Sequence, residues 1–193
     1  KAPAAPRQHV RMMGEDMVAT ELILPAHHRI RPVDLGALAG SGWHEVPVHR
    51  RPHVVIIPTG SELVPADQAP QPGQIIEYNS LVLGAQVEDW GGIVTRMPIT
   101  PDQPDTISAA LQSACDLAPD LILLLSGTSA GSKDFSARQI KAHGELLVHG
   151  IAVRPGHPVI AGILNEHFII GVPGYPVSAA LTGELFVAPL LRR

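Results

Sequence analysis

From residue 53 onward the sequence alternates continuous apolar runs with amphipathic stretches, and this alternation narrows the fold more than any other feature. HVVIIP (53–58) is a continuous apolar run after its first residue, as expected of a strand covered on both faces. Asn79 or Ser80 suits the cap of a helix reaching about Trp90, with Leu81, Val82 and Ala85 on one side and Gly91-Gly92 as its stop. IVTRMPI (93–99) reads as the next strand. A second helix spans 104–119, with Ile107, Leu111, Ala114 and Cys115 at three-to-four spacing. DLILLLS (120–126) is the third and most buried strand. FSARQIKAHG (135–144) reads as a helix stopped by Gly144. ELLVHGIAV (145–153), VIAGILN (159–165) and HFIIGVPG (167–174) supply further strands, the last two a hairpin turning at Asn165-Glu166. Pro176 suits the first position of a closing helix. This order predicts an α/β fold, a mostly parallel sheet with helices on both faces.

Before residue 52 the chain holds only short apolar pieces broken by Pro and Gly, of which PVDLGALAG reads as one short helix. Such a stretch buries little by itself. The expected organisation is a partial lead-in over 1–51 and a domain over 52–193, and the opening Lys1 suggests a piece of a longer protein. A net charge of −4 and no Lys/Arg run exclude a nucleic-acid footprint. No apolar run approaches the roughly 20 residues of a membrane span, and no signal segment opens the chain. Cys115 is the only cysteine, so no intrachain disulfide forms, and a reducing cytoplasm is the expected location.

Ligands of parallel sheets bind at the carboxyl ends of the strands. Three loops of small residues are expected there: TGSEL (59–63), SGTSAGSKD (126–134) and GVPGYPVS (171–178). A fourth, RPGHP (154–158), lies between later strands. Exposed amides in such loops favour an anion. Taken singly, each is weak. The loop 126–134 lacks both the Walker lysine pattern and the dinucleotide fingerprint, and alone it reads equally as a bare βα turn. The histidines lack metal-ligand spacing: His49 and His53 flank Pro52, and His27 and His28 are adjacent. Cys115 reads as a buried, inert thiol, and Ser129 has no nucleophile elbow around it. Asp34 in RPVDLG reads equally as a helix cap.

Together the loops are far more specific. VVIIPTGSEL, PGQIIEYNS, SGTSAGSKDF, VRPGHP and GVPGYPVSAAL follow the order and spacing of molybdopterin molybdotransferases of the MoeA/gephyrin type. The resemblance covers about residues 52–192, and HVRMMGEDMVATELILPAHHRIRPVDLGALAGSGWHEVPVHRRP resembles that family's lead-in. It implies a three-layer αβα molybdopterin-binding domain, and insertion of molybdate into adenylylated molybdopterin. It further implies Mg2+ held by Asp134 with Ser129, catalytic roles for Asp134, Glu62 and Asp34, and a homodimer in the full-length protein. Substrate binding is implied for Thr59, Gly60, Ser61, Gly127, Ser129, Gly131, Arg154, His157, Gly174 and Ser178. Of these, Arg154, His157 and Ser178 are assigned to molybdate.

Four positions depart from the family pattern. Ser61 stands for an aspartate, Ser126 for a glycine, His157 for a lysine and Tyr175 for an asparagine. These leave a second reading open: a non-catalytic module that binds molybdopterin or molybdate for regulation or delivery.

Overall fold

The computed structural model describes residues 3, 5–126 and 130–192, with side chains at all of these except 130–135. Two compact units form, Lys1–His49 and Arg50–Arg193. The first contains one helix, α1 (Pro32–Gly40), whose only buried residue is Asp34.

The second unit is built on a six-stranded sheet. Its strands are β1 (His53–Pro58), β4 (Ile93–Arg96), β5 (Leu121–Ser126), β6 (Gly144–His149), β7 (Ile160–Leu164) and β8 (His167–Pro173). Their order is β4-β1-β5-β8-β7-β6, with β4, β1, β5 and β8 mutually parallel and β7 antiparallel to both neighbours. Two short strands, β2 (Leu63–Val64) and β3 (Ile75–Ile76), pair separately. The helices are α2 (Asn79–Asp89), α3 (Pro104–Asp116), α4 (Ala130–His143) and α5 (Pro176–Thr182). A π-helical turn (Gly183–Val187) and α6 (Ala188–Leu191) follow.

Two-residue periodicity divides the apolar runs between two cores. Val54 and Ile56 of β1 and Leu121, Leu123 and Leu125 of β5 meet Leu83 and Val87 of α2, Trp90, and Ala179 of α5. Val55, Ile57, Ile122 and Leu124 meet Ile107, Leu111, Ala114 and Cys115 of α3 and Ile140 of α4 on the other face. Helix, sheet and helix form the three expected layers. Cys115 is buried, and that burial pushes its thiol pKa up.

Three local expectations differ from the structure. Leu81, Val82 and Ala85 are exposed, because α2 buries Ser80, Leu83, Gly84 and Val87 instead. Two apolar stripes compete on this helix, and the one continuing to Trp90 removes more apolar area from water. α4 begins at Ala130 rather than Phe135. α3 ends at Asp116 rather than running to 119. As expected, α4 stops just before Gly144, which also opens β6, where a Cβ would collide with the Ile163 carbonyl oxygen. The β7–β8 hairpin turns at Asn165 and Glu166 with φ of 46° and 70°, the left-handed pair of a tight hairpin.

Candidate active site at the carboxyl edge of the sheet

β1, β5 and β8 are parallel neighbours, so the segments that follow them leave from one edge of the sheet. Two antiparallel steps return β6 to the direction of β8, which brings residues 150–159 to the same edge. The topology therefore gathers all four small-residue loops.

Thr59 follows β1 directly and is buried. Its N–H and Oγ1 both donate to the Leu125 carbonyl, at 2.8 and 2.9 Å. Gly60 N–H donates to the Thr100 carbonyl. A Cβ on Gly60 would lie 2.7 Å from Leu63 Cγ and 3.1 Å from Glu62 Oε2, so a larger residue would displace the acid. A cleft here is lined by Thr59, Glu62, Glu77, Asn79, Ser126 and Gly174, among others. Ser61 lies beside it, its Oγ accepting from the Asp102 N–H at 3.1 Å.

Three lining or neighbouring residues escaped the sequence reading as site residues. Asn79 does not cap α2; its Nδ2 donates to the Gly174 carbonyl at 2.8 Å and ties two loops together. Glu77 supplies the cap, its carboxylate accepting from Ser80 N–H at 2.8 Å and Ser80 Oγ at 2.5 Å. Asp102 follows β4 at the same edge; the Ser61 N–H bonds its carboxyl, while its Oδ1 is buried with no hydrogen-bond partner among the described residues. The single hydroxyl hydrogen of Thr59 is already committed to Leu125. Burial, and then the charge of Glu62, push the Asp102 pKa up. An acid in the loop after a parallel strand was the available signal.

The remaining expected residues divide by location. His157 is exposed, and its Nδ1 lies 2.5 Å from the Ile151 carbonyl oxygen. A carbonyl only accepts, so Nδ1 carries the hydrogen and Nε2 is the other ring nitrogen open to a ligand. Arg154 is exposed in the same loop. Ser178 is buried in the first turn of α5, where its carbonyl accepts from Thr182 Oγ1. None of these three lines the cleft. Gly127 and Ser129 lie outside the described residues, while Gly131 and Asp134 fall within α4.

Asp34 belongs to the first unit. Its Oδ2 accepts from Arg31 N–H at 2.7 Å, Arg31 Nε at 3.0 Å and His28 Nε2 at 2.8 Å, and its Oδ1 from Arg31 Nη2 at 2.9 Å. The Arg31 guanidinium, then its backbone N–H and His28, hold the carboxyl well below the usual carboxylate range. These bonds cap α1.

A wider groove of about 410 Å³ between α2 and β4 is lined by Leu81, Gly84, Ala85, Glu88, Val94 and Arg96. It contains none of the residues assigned above. Volume alone does not make it the site; the cleft has the convergent acids and the strand-end position.

Residues 55–193 match the family described as "Probable molybdopterin binding domain". Molybdopterin molybdenumtransferase 2 of Mycobacterium tuberculosis is 37% identical over 98% of this chain and 48% of its own length. Molybdopterin molybdenumtransferase of Nostoc sp. is 31% identical over 97% of this chain and 44% of its own. The crystal structure of the molybdopterin biosynthesis MoeA protein from Pyrococcus horikoshii superposes with a TM-score of 0.86 at 32% identity, over 100% of this chain and 48% of that one. The chain thus spans about half the length of the relatives it matches. By fold, by the loops gathered at one sheet edge and by these matches, it belongs to the molybdopterin-binding domain family of molybdenum cofactor biosynthesis.

Proposed function

We propose that this chain is the molybdopterin-binding part of a molybdotransferase that inserts molybdate into adenylylated molybdopterin. The observation that carries the reading is Asp102 beside Glu62, its Oδ1 buried with no hydrogen-bond partner among the described residues, at the sheet edge where small-residue loops converge. A buried carboxylate oxygen left without a donor is costly, and perturbed acids of this kind cluster at functional sites. Two carboxylates are the hard oxygen donors that suit Mg2+, and Glu62, Asp102 and Asp134 are the residues we assign to hold it. Bound there, the ion would neutralise charge developing on phosphate during anhydride cleavage. Thr59 and Gly60 fix the backbone against which the ligand lies, and Asn79 holds the Gly174 loop closed on the cleft. Arg154 and His157 are assigned to the oxyanion end, Arg154 as its permanent positive charge. Asp34, Ser61, Gly127, Ser129, Gly131 and Ser178 keep the roles the family resemblance gives them. A homodimeric, cytoplasmic full-length protein is part of the same proposal.

A non-catalytic binding module is the second reading, favoured by His157. With Nδ1 committed to Ile151, the neutral imidazole offers an oxyanion no donor. The deciding experiment is molybdate insertion by the full-length protein with adenylylated molybdopterin and Mg2+. The transferase reading expects turnover that Asp134→Asn abolishes with little change in melting temperature. Tight binding of the nucleotide without turnover selects the module, and neither binding nor turnover removes both.

A further inference from the structure

We infer that Tyr78 and Tyr175 form an aromatic platform at the cleft mouth that stacks the flat bicyclic ring of the ligand. The inference rests on the ligand proposed above and adds the residues that recognise its ring.

Both tyrosines occupy the N-cap position of a helix, Tyr78 for α2 and Tyr175 for α5, and neither makes a side-chain capping bond. Glu77 caps α2 from the residue before Tyr78, so the tyrosine ring is not needed there, and at α5 a Ser, Thr, Asp or Asn would serve the helix better than Tyr175. Two rings placed side by side at helix starts without a capping role point to another use for the side chains. Both rings stand open, Tyr78 at 42% and Tyr175 at 67% exposure. They are also held near one another. α2 packs on α5, and the Asn79 Nδ2 to Gly174 carbonyl bond joins the residue after Tyr78 to the residue before Tyr175.

The cleft explains why a platform is needed. It encloses only about 80 Å³ and is lined by Tyr78 and Gly174 at one side. Pockets that swallow an organic ligand enclose roughly 300–1,000 Å³. This cleft therefore admits a small polar group while a bicyclic ring stays at the mouth, on the tyrosine faces. Adenine and pterin are both flat nitrogen heterocycles, and stacking on a phenol ring suits either.

The test measures AMP and, separately, free pterin binding to the chain by calorimetry and by proton NMR. The proteins are wild type, Tyr78→Ala, Tyr78→Phe, Tyr175→Ala and Tyr175→Phe. Each alanine variant should bind at least one ring ligand about tenfold more weakly and lose the upfield ring-current shift of its protons. Each phenylalanine variant should stay within about twofold of wild type, because it keeps the ring. Inorganic phosphate, which has no ring, should bind all five alike. Loss for AMP alone makes adenine the stacked ring; loss for pterin alone makes it pterin. Wild-type binding of both ligands that survives both alanine changes overturns the platform and leaves the proposed ligand standing. Equal losses in the phenylalanine variants also overturn it, since the hydroxyl would then be the contact. A wild-type chain that binds neither ligand overturns the proposed ligand and the platform together.

Discussion

Single acids carry most of the chemistry assigned to this edge, and Asp102 illustrates how. Its raised pKa means the ionised form is penalised in the fold. That destabilisation is absent below the ordinary aspartate pKa of 3.8 and grows as pH rises through the higher folded value. Asp102→Asn should therefore stabilise the fold at pH 7, by less than about 1 kcal/mol once solvent screening is allowed for, read as a higher melting temperature. The gain should vanish when melts are repeated below about pH 3.8; a gain constant with pH would assign it to packing instead. Neither the orphaned oxygen nor the neighbouring Glu62 charge can be read from TPDQP, because both arise from residues 40 positions apart. Histidine 157 offers a second case. With Nδ1–H held by Ile151, only the imidazolium presents Nε2–H to an oxyanion. His157→Lys, whose ammonium can turn several donors to an oxyanion, should tighten molybdate binding at pH 7, measured by calorimetry. Equal affinity in the two proteins would remove His157 from the oxyanion end.

Elements were legible where their pattern was unambiguous. β1 and β5 are apolar on both faces and were readable as central strands; α3 carries one apolar stripe, Ile107, Leu111, Ala114 and Cys115, and that buried face was readable although its end was not. α2 was not, because its sequence offers two stripes and only the sheet beneath selects Leu83 and Val87 over Leu81 and Val82. Gly144 is legible in part. A glycine after a helix suggests a helix stop, and α4 does end at His143, but only the sheet shows that its lack of a Cβ also serves the close approach of β6 to β7. Gly144→Ala should accordingly cost about 1–3 kcal/mol through backbone displacement, seen as a lower denaturation midpoint. An unchanged midpoint would show that a helix stop was its whole role.

At the scale of the molecule, the second unit is tied at its start by two arginines. Arg50 makes paired bonds of 2.6 and 2.5 Å to Asp120, and Arg51 donates to the Gly91 and Gly92 carbonyls. The Arg50 guanidinium, with the His53 N–H, lowers the Asp120 pKa despite some burial. Stability from this pair is thus present above the ordinary value of 3.8 and is lost as pH falls through the lower folded value. A chain beginning at Arg50 should melt cooperatively without the first unit. One beginning at His53 should melt lower at pH 7, through loss of the exposed Arg50–Asp120 ion pair and of the Arg51 bonds to the Gly91 and Gly92 carbonyls. The ion-pair share of that difference should disappear in acid. Equal melting of the two chains would make the arginines incidental, and non-cooperative melting of the Arg50 chain would show that the first unit is needed for folding.

The sequence by itself determined the layers. Apolar runs with period two and amphipathic runs with period near 3.6 have one economical solution, a covered parallel sheet, and short-range chemistry suffices to specify it. The order and composition of the loops likewise determined the family. The tertiary structure alone decided which residues meet: that β6 returns to the direction of β8, that Asp102 lies beside Glu62 with an oxygen unpaired, and that Asn79 reaches across to Gly174. The last two of these join residues 40 and 95 positions apart, and burial, charge coupling and hydrogen-bond supply are set by distances in space, which no local pattern encodes.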